Sequence, residues 1–581
     1  MKSSDYIISF LASQKITHVF EVAGGALGHL LDSLYGKKKI TAVSMHHEMA
    51  AAIAAEGYAR ASGNIGVAMA TSGPGAVNML TGIGSCFFDS IPCLFITGQV
   101  NTYEFKFKKP VRQLGFQETD IVNIARPITK DAAIIVDSGK IKQQLEKLIF
   151  TAKSSRPGPV LIDIPLNIQR AEIKVNALSS FDASCSGQKK IDNILLEKTI
   201  KLIKSSSRPI ALVGGGIRAS KAEGELFKFI KKTGIPVVAS LMGLDAFPQE
   251  DPLFVGLLGS YGNRYSNLAV ANSDLLLVLG SRLDTRQTGT NPKTFAREAK
   301  IIHVDIDSHE LNNKVKADIA IRSDLKNFLS ILNASIPKID SDRIKPWKEK
   351  ISAYKKKYPD YRKSLDDKID PNYLMYELSK FIPDGAIICV DVGQNQMWAA
   401  QSLRIKKSQR FLTQGGMASM GSALPMAIGA SFAQPQKIIV VIIGDGGFQL
   451  NIQELETVFH HNLPIKIILL NNRCYGMVRQ FQEQYFNSRF QSTVAGYSAP
   501  NFQDVVSAYK IPAAKIKNSK EITKKFQKLF ADKKPRFLEV NISKSGKVNP
   551  KLSVNRPIED QDPLLPRSEL NSNMIIKTIR K

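Results

Sequence analysis

The sequence predicts an α/β protein made of three doubly wound parallel-sheet domains and an irregular C-terminal tail. Three observations lead there. A β-branched apolar run, Ile438 to Ile443, ends at Gly444-Asp445-Gly446-Gly447, and a second, Ile465 to Leu470, ends at Asn471-Asn472. Between them, Leu450 to Phe459 carries apolar residues three and four apart, the spacing of a helix. A strand, a helix and a strand in that order set two parallel strands in one sheet with their carboxyl ends together. The same alternation recurs from Pro209-Ile210-Ala211-Leu212-Val213 to Ile301-Ile302-His303-Val304-Asp305, and again across the first 170 residues.

Taken in order, the chain enters a helical pattern at Met1-Lys2-Ser3-Ser4-Asp5-Tyr6-Ile7-Ile8, and no secretory or transit leader is expected before it. Strands at Ile65 to Ala70, Cys93 to Thr97 and Val160 to Ile164 belong to a first domain over residues 1–172. The Ser-rich stretch 176–191 has no periodicity and reads as a linker. A central domain over 190–335 opens on the strand Pro209 to Val213, followed at once by Gly214-Gly215-Gly216, and continues through Leu275 to Leu279. The Lys/Asp-rich stretch 338–371 is expected to be helix plus linker, and a third domain spans 371–548. Residues 549–581 form a Pro-rich tail with few signals of regular structure. Nothing in the two outer sequences shows that they share a fold.

Composition narrows the function classes. The chain has 581 residues, 43% of them apolar, enough for about three to four domains with large cores. The absence of an 18-residue apolar stretch argues against a membrane span. The formal charge of +27 comes from lysines scattered among acidic residues, without a recognised nucleic-acid motif, so nucleic acid is not expected as a partner. A basic field does suit anionic small substrates. The five cysteines, Cys86, Cys93, Cys185, Cys389 and Cys474, show no metal-ligand spacing and fit free thiols in a reducing cytoplasm.

The third domain carries the chemistry. Asp445 and Asn472 end neighbouring parallel strands and face the crevice where open α/β sheets bind ligands. Hard oxygen ligands there suit Mg²⁺, which normally also takes phosphate oxygens, and glycine at Gly444, Gly446 and Gly447 lets backbone approach them closely.

With those motifs in place, the chain resembles the thiamine-diphosphate enzymes, and within them the catalytic subunits of acetolactate synthases. The likeness spans residues 1 to about 545. It rests on the Gly-Asp-Gly and Asn-Asn pair, on His47-Glu48-Met49-Ala50-Ala51, on Thr71-Ser72-Gly73-Pro74-Gly75-Ala76-Val77-Asn78, on Phe116-Gln117-Glu118 and on Gly415-Gly416-Met417-Ala418-Ser419-Met420. The resemblance implies that Glu48 activates the cofactor, although a Glu opening an Ala-rich helix also suits the helix dipole. It implies Mg²⁺ on Asp445, Asn472 and the Cys474 carbonyl, with Gly393, Gln394, Asn395 and Gly476 around the diphosphate. Asn395 stands where such relatives carry His, and its amide is expected still to donate to phosphate. Met420 matches the wedge beneath the two cofactor rings, and the Ala418 carbonyl the acceptor for the pyrimidine amino group.

Phe116 and Gln117 replace the paired histidines of pyruvate decarboxylases, which points from aldehyde release to carboligation. In the central domain Gly214-Gly215, Arg282 and Asp305 resemble FAD-binding segments, and Arg282 also matches a residue for the acceptor carboxylate. The implied reaction decarboxylates pyruvate and adds the two-carbon unit to a second 2-keto acid. The implied assembly is a homodimer or tetramer with shared sites, with room for a small regulatory subunit. Phe481, in place of a tryptophan, and Ser260-Tyr261-Gly262, in place of Met-His-Gly, leave a nucleotide-activated keto sugar as the alternative acceptor, as does the tail.

Overall fold

Apolar runs too short for helices and buried on both faces form parallel strands covered on either side. A computed structural model of the protein describes residues 1–183, 191–339, 341–363 and 367–579. Residues 184–190 of the Ser-rich stretch, Cys185 among them, lie outside the described residues. The first domain holds β1 (His18–Glu21), β2 (Thr41–Ser44), β3 (Gly66–Ala70), β4 (Cys93–Gln99), β5 (Asp131–Ile134) and β6 (Val160–Pro165). The central domain holds β7 (Pro209–Val213), β8 (Val237–Ala239), β9 (Phe254–Leu257), β10 (Leu275–Leu279), β11 (Lys300–Asp305) and β12 (Ile319–Arg322). The third holds β13 (Ile387–Val390), β14 (Arg410–Leu412), β15 (Ile439–Gly444), β16 (Ile465–Asn471), β17 (Ala513–Ile516) and β18 (Arg536–Asn541).

All three sheets are parallel. The outer two have the same topology: β2-β1-β3-β4-β6-β5 and β14-β13-β15-β16-β18-β17. The kinship of the outer domains, invisible in their sequences, is thus plain in their strand order. The central sheet runs β12-β11-β10-β7-β8-β9, so its order reverses between β7 and β10. That is the strand order of dinucleotide-binding sheets, which take ligands at the reversal.

The first and third domains meet along two antiparallel helices, Glu48–Ser62 and Ala423–Ala433. Ala50 to Ala55 are fully buried there. Glycines set the approach: a Cβ at Gly57 would fall 2.1 Å from the Met426 carbonyl oxygen, and one at Gly429 1.8 Å from that of Ala54.

Two expectations change. The helix foreseen from Leu450 to Phe459 is a 3₁₀ segment, Gln449–Glu454, followed by a short helix, Leu455–His460. Asn451 breaks it with non-helical angles, because its amide donates to the Gly421 carbonyl at 2.8 Å. The tail, though largely irregular, has a two-residue ladder, β19 (Lys551–Leu552) with β20 (Gln561–Asp562), and a helix, Arg567–Asn573. Leu552, Ile558 and Leu570 bury themselves against Tyr265, Leu268 and Trp347 of the central region.

Candidate active site

The strand order of the third sheet reverses between β13 and β15, and the residues just past those two strands form its ligand crevice. Asp391 follows β13 and is fully buried. Its carboxylate accepts the backbone N–H groups of Gly421 (3.0 Å) and Ala423 (3.1 Å), which tie it to the start of the Ala423–Ala433 helix. Burial pushes its carboxyl up to about 6 despite those donors. Gly393, Gln394 and Asn395 follow as the start of the Gln394–Ser402 helix.

Asp445 follows β15 and is 2% exposed, with a carboxyl raised by desolvation. The Tyr497 hydroxyl donates to its Oδ2 at 2.6 Å. At the end of β16, Asn472 Nδ2 donates to Gln394 Oε1 at 3.1 Å while its Oδ1 accepts the Cys474 N–H at 3.2 Å. Arg473 between them takes φ +53°, which turns the loop back toward the crevice. Burial pushes the Cys474 thiol up to about 11, so it stays protonated at neutral pH and the backbone carbonyl is what this residue can offer a cation. Gly476 has no room for a side chain: a Cβ would fall 2.0 Å from Gln394 Oε1. Among the described residues no group of three His, Cys, Asp or Glu side chains could hold a metal ion. One carboxylate, one amide and one carbonyl fit Mg²⁺ completed by phosphate and water better than an all-protein metal cage.

The Asn395 amide hydrogens go to the carbonyls of Asp391 (2.6 Å) and Ile442 (3.4 Å), and its Oδ1 faces Gly393 and Gly444. As folded, this side chain turns an acceptor to the loop.

The Gly415–Met420 loop reaches the same crevice, and Met420 Cε would lie 3.4 Å from a Cβ at Gly446. Ala418 adopts φ +57°, uncommon for a residue with a side chain and a mark of a constrained loop. The constraint comes from the first domain. Asp89 accepts the N–H groups of Gly415 (3.0 Å) and Gly416 (2.7 Å) and pairs with Arg60 at 2.8 Å. Glu56, fully buried, accepts from Arg60, from Ser85 (2.8 Å) and from Gln414 Nε2 (3.0 Å). Gln414 in turn accepts the Ser419 N–H at 3.1 Å and closes the loop on itself.

Glu48 begins its helix at the carboxyl edge of the first sheet and accepts from Asn78 Nδ2 at 2.9 Å. Gln117 packs on Gly73 of the Thr71–Asn78 loop with φ +62°, and Phe116 is 85% exposed. These residues do not meet Asp445 within the chain. Gly57 lies against Met426 and Ala54 against Gly429, so Glu48 sits at the far end of the helix pair from Gly421 and Asp391. At 1.5 Å per residue the two half-sites are roughly 15–20 Å apart.

The central domain's reversal point opens into a cleft of about 1390 Å³, open solvent included. Gly215, Arg282 and Asp305 line it, as do Gln414 and Ala418 from the third domain. Gly214 lies just behind, where a Cβ would strike the Gly280 carbonyl at 2.0 Å. Burial raises the Asp305 carboxyl. A cleft at such a reversal is where sheets of this strand order take dinucleotides such as FAD.

Sequence reasoning missed Asp391, Tyr497 and the Glu56–Arg60–Asp89 cluster. Asp391 carried the same signal as Asp445, an acid at the end of an apolar run; Tyr497 carried none.

Comparison with known proteins agrees with this geometry. Residues 1–124 match the thiamine pyrophosphate enzyme N-terminal TPP binding domain, 196–332 the central domain and 391–540 the C-terminal TPP binding domain. The chain is 38% identical over 575 residues to acetolactate synthase 2, chloroplastic, of Nicotiana tabacum, covering 96% of this chain and 85% of that one. It is 38% identical over 555 residues to acetolactate synthase, chloroplastic, of Arabidopsis thaliana, covering 93% and 81%. Acetolactate synthase 1, chloroplastic, of Oryza sativa subsp. japonica is 37% identical over 579 residues, covering 96% and 87%. With all three domains matched in order and likeness along nearly its whole length, the chain belongs to the thiamine pyrophosphate enzyme family, among the acetolactate synthase catalytic subunits.

Proposed function

We propose that this enzyme decarboxylates pyruvate and joins the remaining two-carbon unit to a second 2-keto acid, giving 2-acetolactate. The observation that carries the reading is the pair of strand ends at the third sheet's reversal: Asp445 and Asn472, with Gln394 and Gly476 closing around them. The relatives' names favour a 2-keto acid over a keto sugar as acceptor.

Thiamine diphosphate, when bound, supplies a carbon nucleophile and takes up the electron pair released with CO₂. The chain's part is to hold and orient it. In this reading Asp445, Asn472 and the Cys474 carbonyl take Mg²⁺, and Gly393, Gln394, Gly444, Gly446 and Gly447 line the diphosphate. Met420 props the rings, the Ala418 carbonyl accepts the amino group, and Glu48 holds the proton exchanged with the pyrimidine ring. Gln117 and Phe116 lie beside the substrate, and Arg282 offers a planar donor to the acceptor carboxylate. FAD would lie along Gly214, Gly215 and Asp305.

Because Glu48 and Asp445 lie at opposite ends of the helix pair, a complete site needs a second copy of the chain. Exposed apolar side chains near both half-sites support a homodimer: Phe107, Leu114 and Phe116 on one, Val478, Phe481 and Phe486 on the other. Four free, buried cysteines support the proposal of a reducing, cytoplasmic setting.

Incubation with pyruvate, thiamine diphosphate and Mg²⁺, with and without FAD, tests the reading. NMR should show two pyruvates consumed per 2-acetolactate, and specific activity should fall on dilution below the dimer dissociation constant. Pyruvate left intact by a protein that binds the cofactor would overturn it.

A further inference from the structure

Glu454 belongs to none of the groups given a role so far. It ends the 3₁₀ segment Gln449–Glu454, which follows the short helix Asp445–Phe448, and its side chain is fully buried. Its partners lie mostly in another domain. Oε1 accepts the backbone N–H of His46 at 3.0 Å, and Oε2 accepts the Thr457 hydroxyl at 2.7 Å. The His46 ring closes the cluster, with Nδ1 3.1 Å from Thr457 Oγ1 and 3.6 Å from Glu454 Oε2.

His46 and His47 form the turn between β2 and the Glu48–Ser62 helix. The turn's other ties are local to the first domain: the Met45 N–H goes to the Glu21 carbonyl, and the His47 ring accepts the Met49 N–H as the helix N-cap. Glu454 fixes the backbone of this turn, two residues before Glu48, against the third domain, and Thr457 adds a contact to the His46 ring.

A carboxylate taken wholly out of water costs free energy unless its donors are well placed, and here they are a backbone N–H and a hydroxyl. Removing it takes the acceptor from the part-buried His46 N–H, while the Thr457 hydroxyl still has the His46 ring beside it, and the turn relaxes to find a new partner. A displacement of about 1 Å in a positioned reacting group costs on the order of 10²-fold in rate.

We propose that Glu454 is a positioning residue for Glu48, holding the His46 turn so that the Glu48 carboxylate is presented at a fixed height to the pyrimidine ring of the cofactor. This rests on the role proposed for Glu48 above. Glu454 touches neither cofactor nor substrate, and it acts through one backbone hydrogen bond. Serving only as a local cap for the Leu455–His460 helix would change stability and leave proton exchange alone.

The test is hydrogen–deuterium exchange at the thiazolium C2 of bound thiamine diphosphate, followed by quench-flow NMR with cofactor and Mg²⁺ saturating. Glu454→Ala should slow exchange at least 30-fold while the dissociation constant for the cofactor stays within threefold. Glu454→Gln, whose carbonyl still accepts the His46 N–H, should exchange within threefold of wild type. If the alanine variant does not fold, Glu454→Asp keeps the charge but withdraws the carboxylate by one methylene, and should slow exchange at least tenfold. Wild-type exchange rates in the alanine or aspartate variant, or a glutamine variant as slow as they are, would overturn the proposal. A wild-type protein that binds the cofactor without accelerating exchange would instead overturn the role of Glu48, and this inference with it.

Discussion

Replacing Gly429 by alanine puts a methyl group where the Ala423–Ala433 helix touches the backbone of the Glu48–Ser62 helix. The new carbon would lie 1.8 Å from the Ala54 carbonyl oxygen, 2.7 Å from its carbon and 2.8 Å from the Tyr58 nitrogen. Side-chain atoms at such distances could swing away, but these are helix backbone on both sides. Real Cβ atoms do not approach closer than 3.0 Å, so the helices must separate by at least 1.2 Å at this point. A gap of that size removes a quarter to a half or more of the dispersion energy between facing atoms, along an interface whose alanines are wholly buried. Overpacking of this kind costs about 1–3 kcal/mol, and the rigidity of both partners puts Gly429→Ala at the upper end. The same separation moves Glu48, at one end of the pair, relative to the Asp391 and Gly421 site at the other. A shift of about 1 Å should lower kcat on the order of 10²-fold. Urea denaturation measures the first effect, and acetolactate formation at saturating cofactor the second. Gly224→Ala, in an exposed helix with open space around its Cβ position, is the control and should be neutral or stabilise by about 0.4–1 kcal/mol. If Gly429→Ala loses less than about 0.5 kcal/mol and keeps its kcat, the glycine contact does not set the helix spacing.

Two further substitutions test buried polar groups. Asp163 lies within β6 with Thr97 (2.6 Å) and Gln99 (2.9 Å) as side-chain donors, and burial pushes its carboxyl up to about 7. A folded-state value above the unfolded one means the native state holds the extra proton, so stability falls as pH rises from about 4 to about 7, by on the order of 4 kcal/mol. Asp163→Asn should therefore gain stability over wild type at pH 8 and little at pH 5, as read by urea midpoints; equal gains at both would refute it. Asn395→Asp keeps the shape of a buried amide but points an oxygen at the carbonyls of Asp391 and Ile442. It should cost about 2–4 kcal/mol at pH 7, less below pH 4 where a carboxylic acid can donate, and calorimetry should show weakened binding of thiamine diphosphate. Unchanged stability would mean the amide points the other way.

What the sequence could announce follows from how local each signal is. The apolar runs of β15 and β16 specify buried parallel strands by composition alone, and Asp445 and Asn472 are placed because they end those runs. Gly57 and Gly429 read as ordinary helix glycines; their role exists only where two helices from distant parts of the chain cross. The bonds of Asn395 to the carbonyls of Asp391 and Ile442 are not legible in sequence, because they form only once β13 and β15 pair. The 3₁₀ break at Asn451 was hidden in the same way: the periodicity around it is helical, and the bond to Gly421 that unwinds it comes from 30 residues away.

The same long-range packing explains how two separated half-sites can work as one enzyme. The chain from Asp445 through the 3₁₀ segment to Glu454 spans ten residues, and Glu454 grips the turn that presents Glu48. In the two-copy site proposed above, each chain gives Asp445 to one site and Glu48 to the other, so this segment joins two different sites.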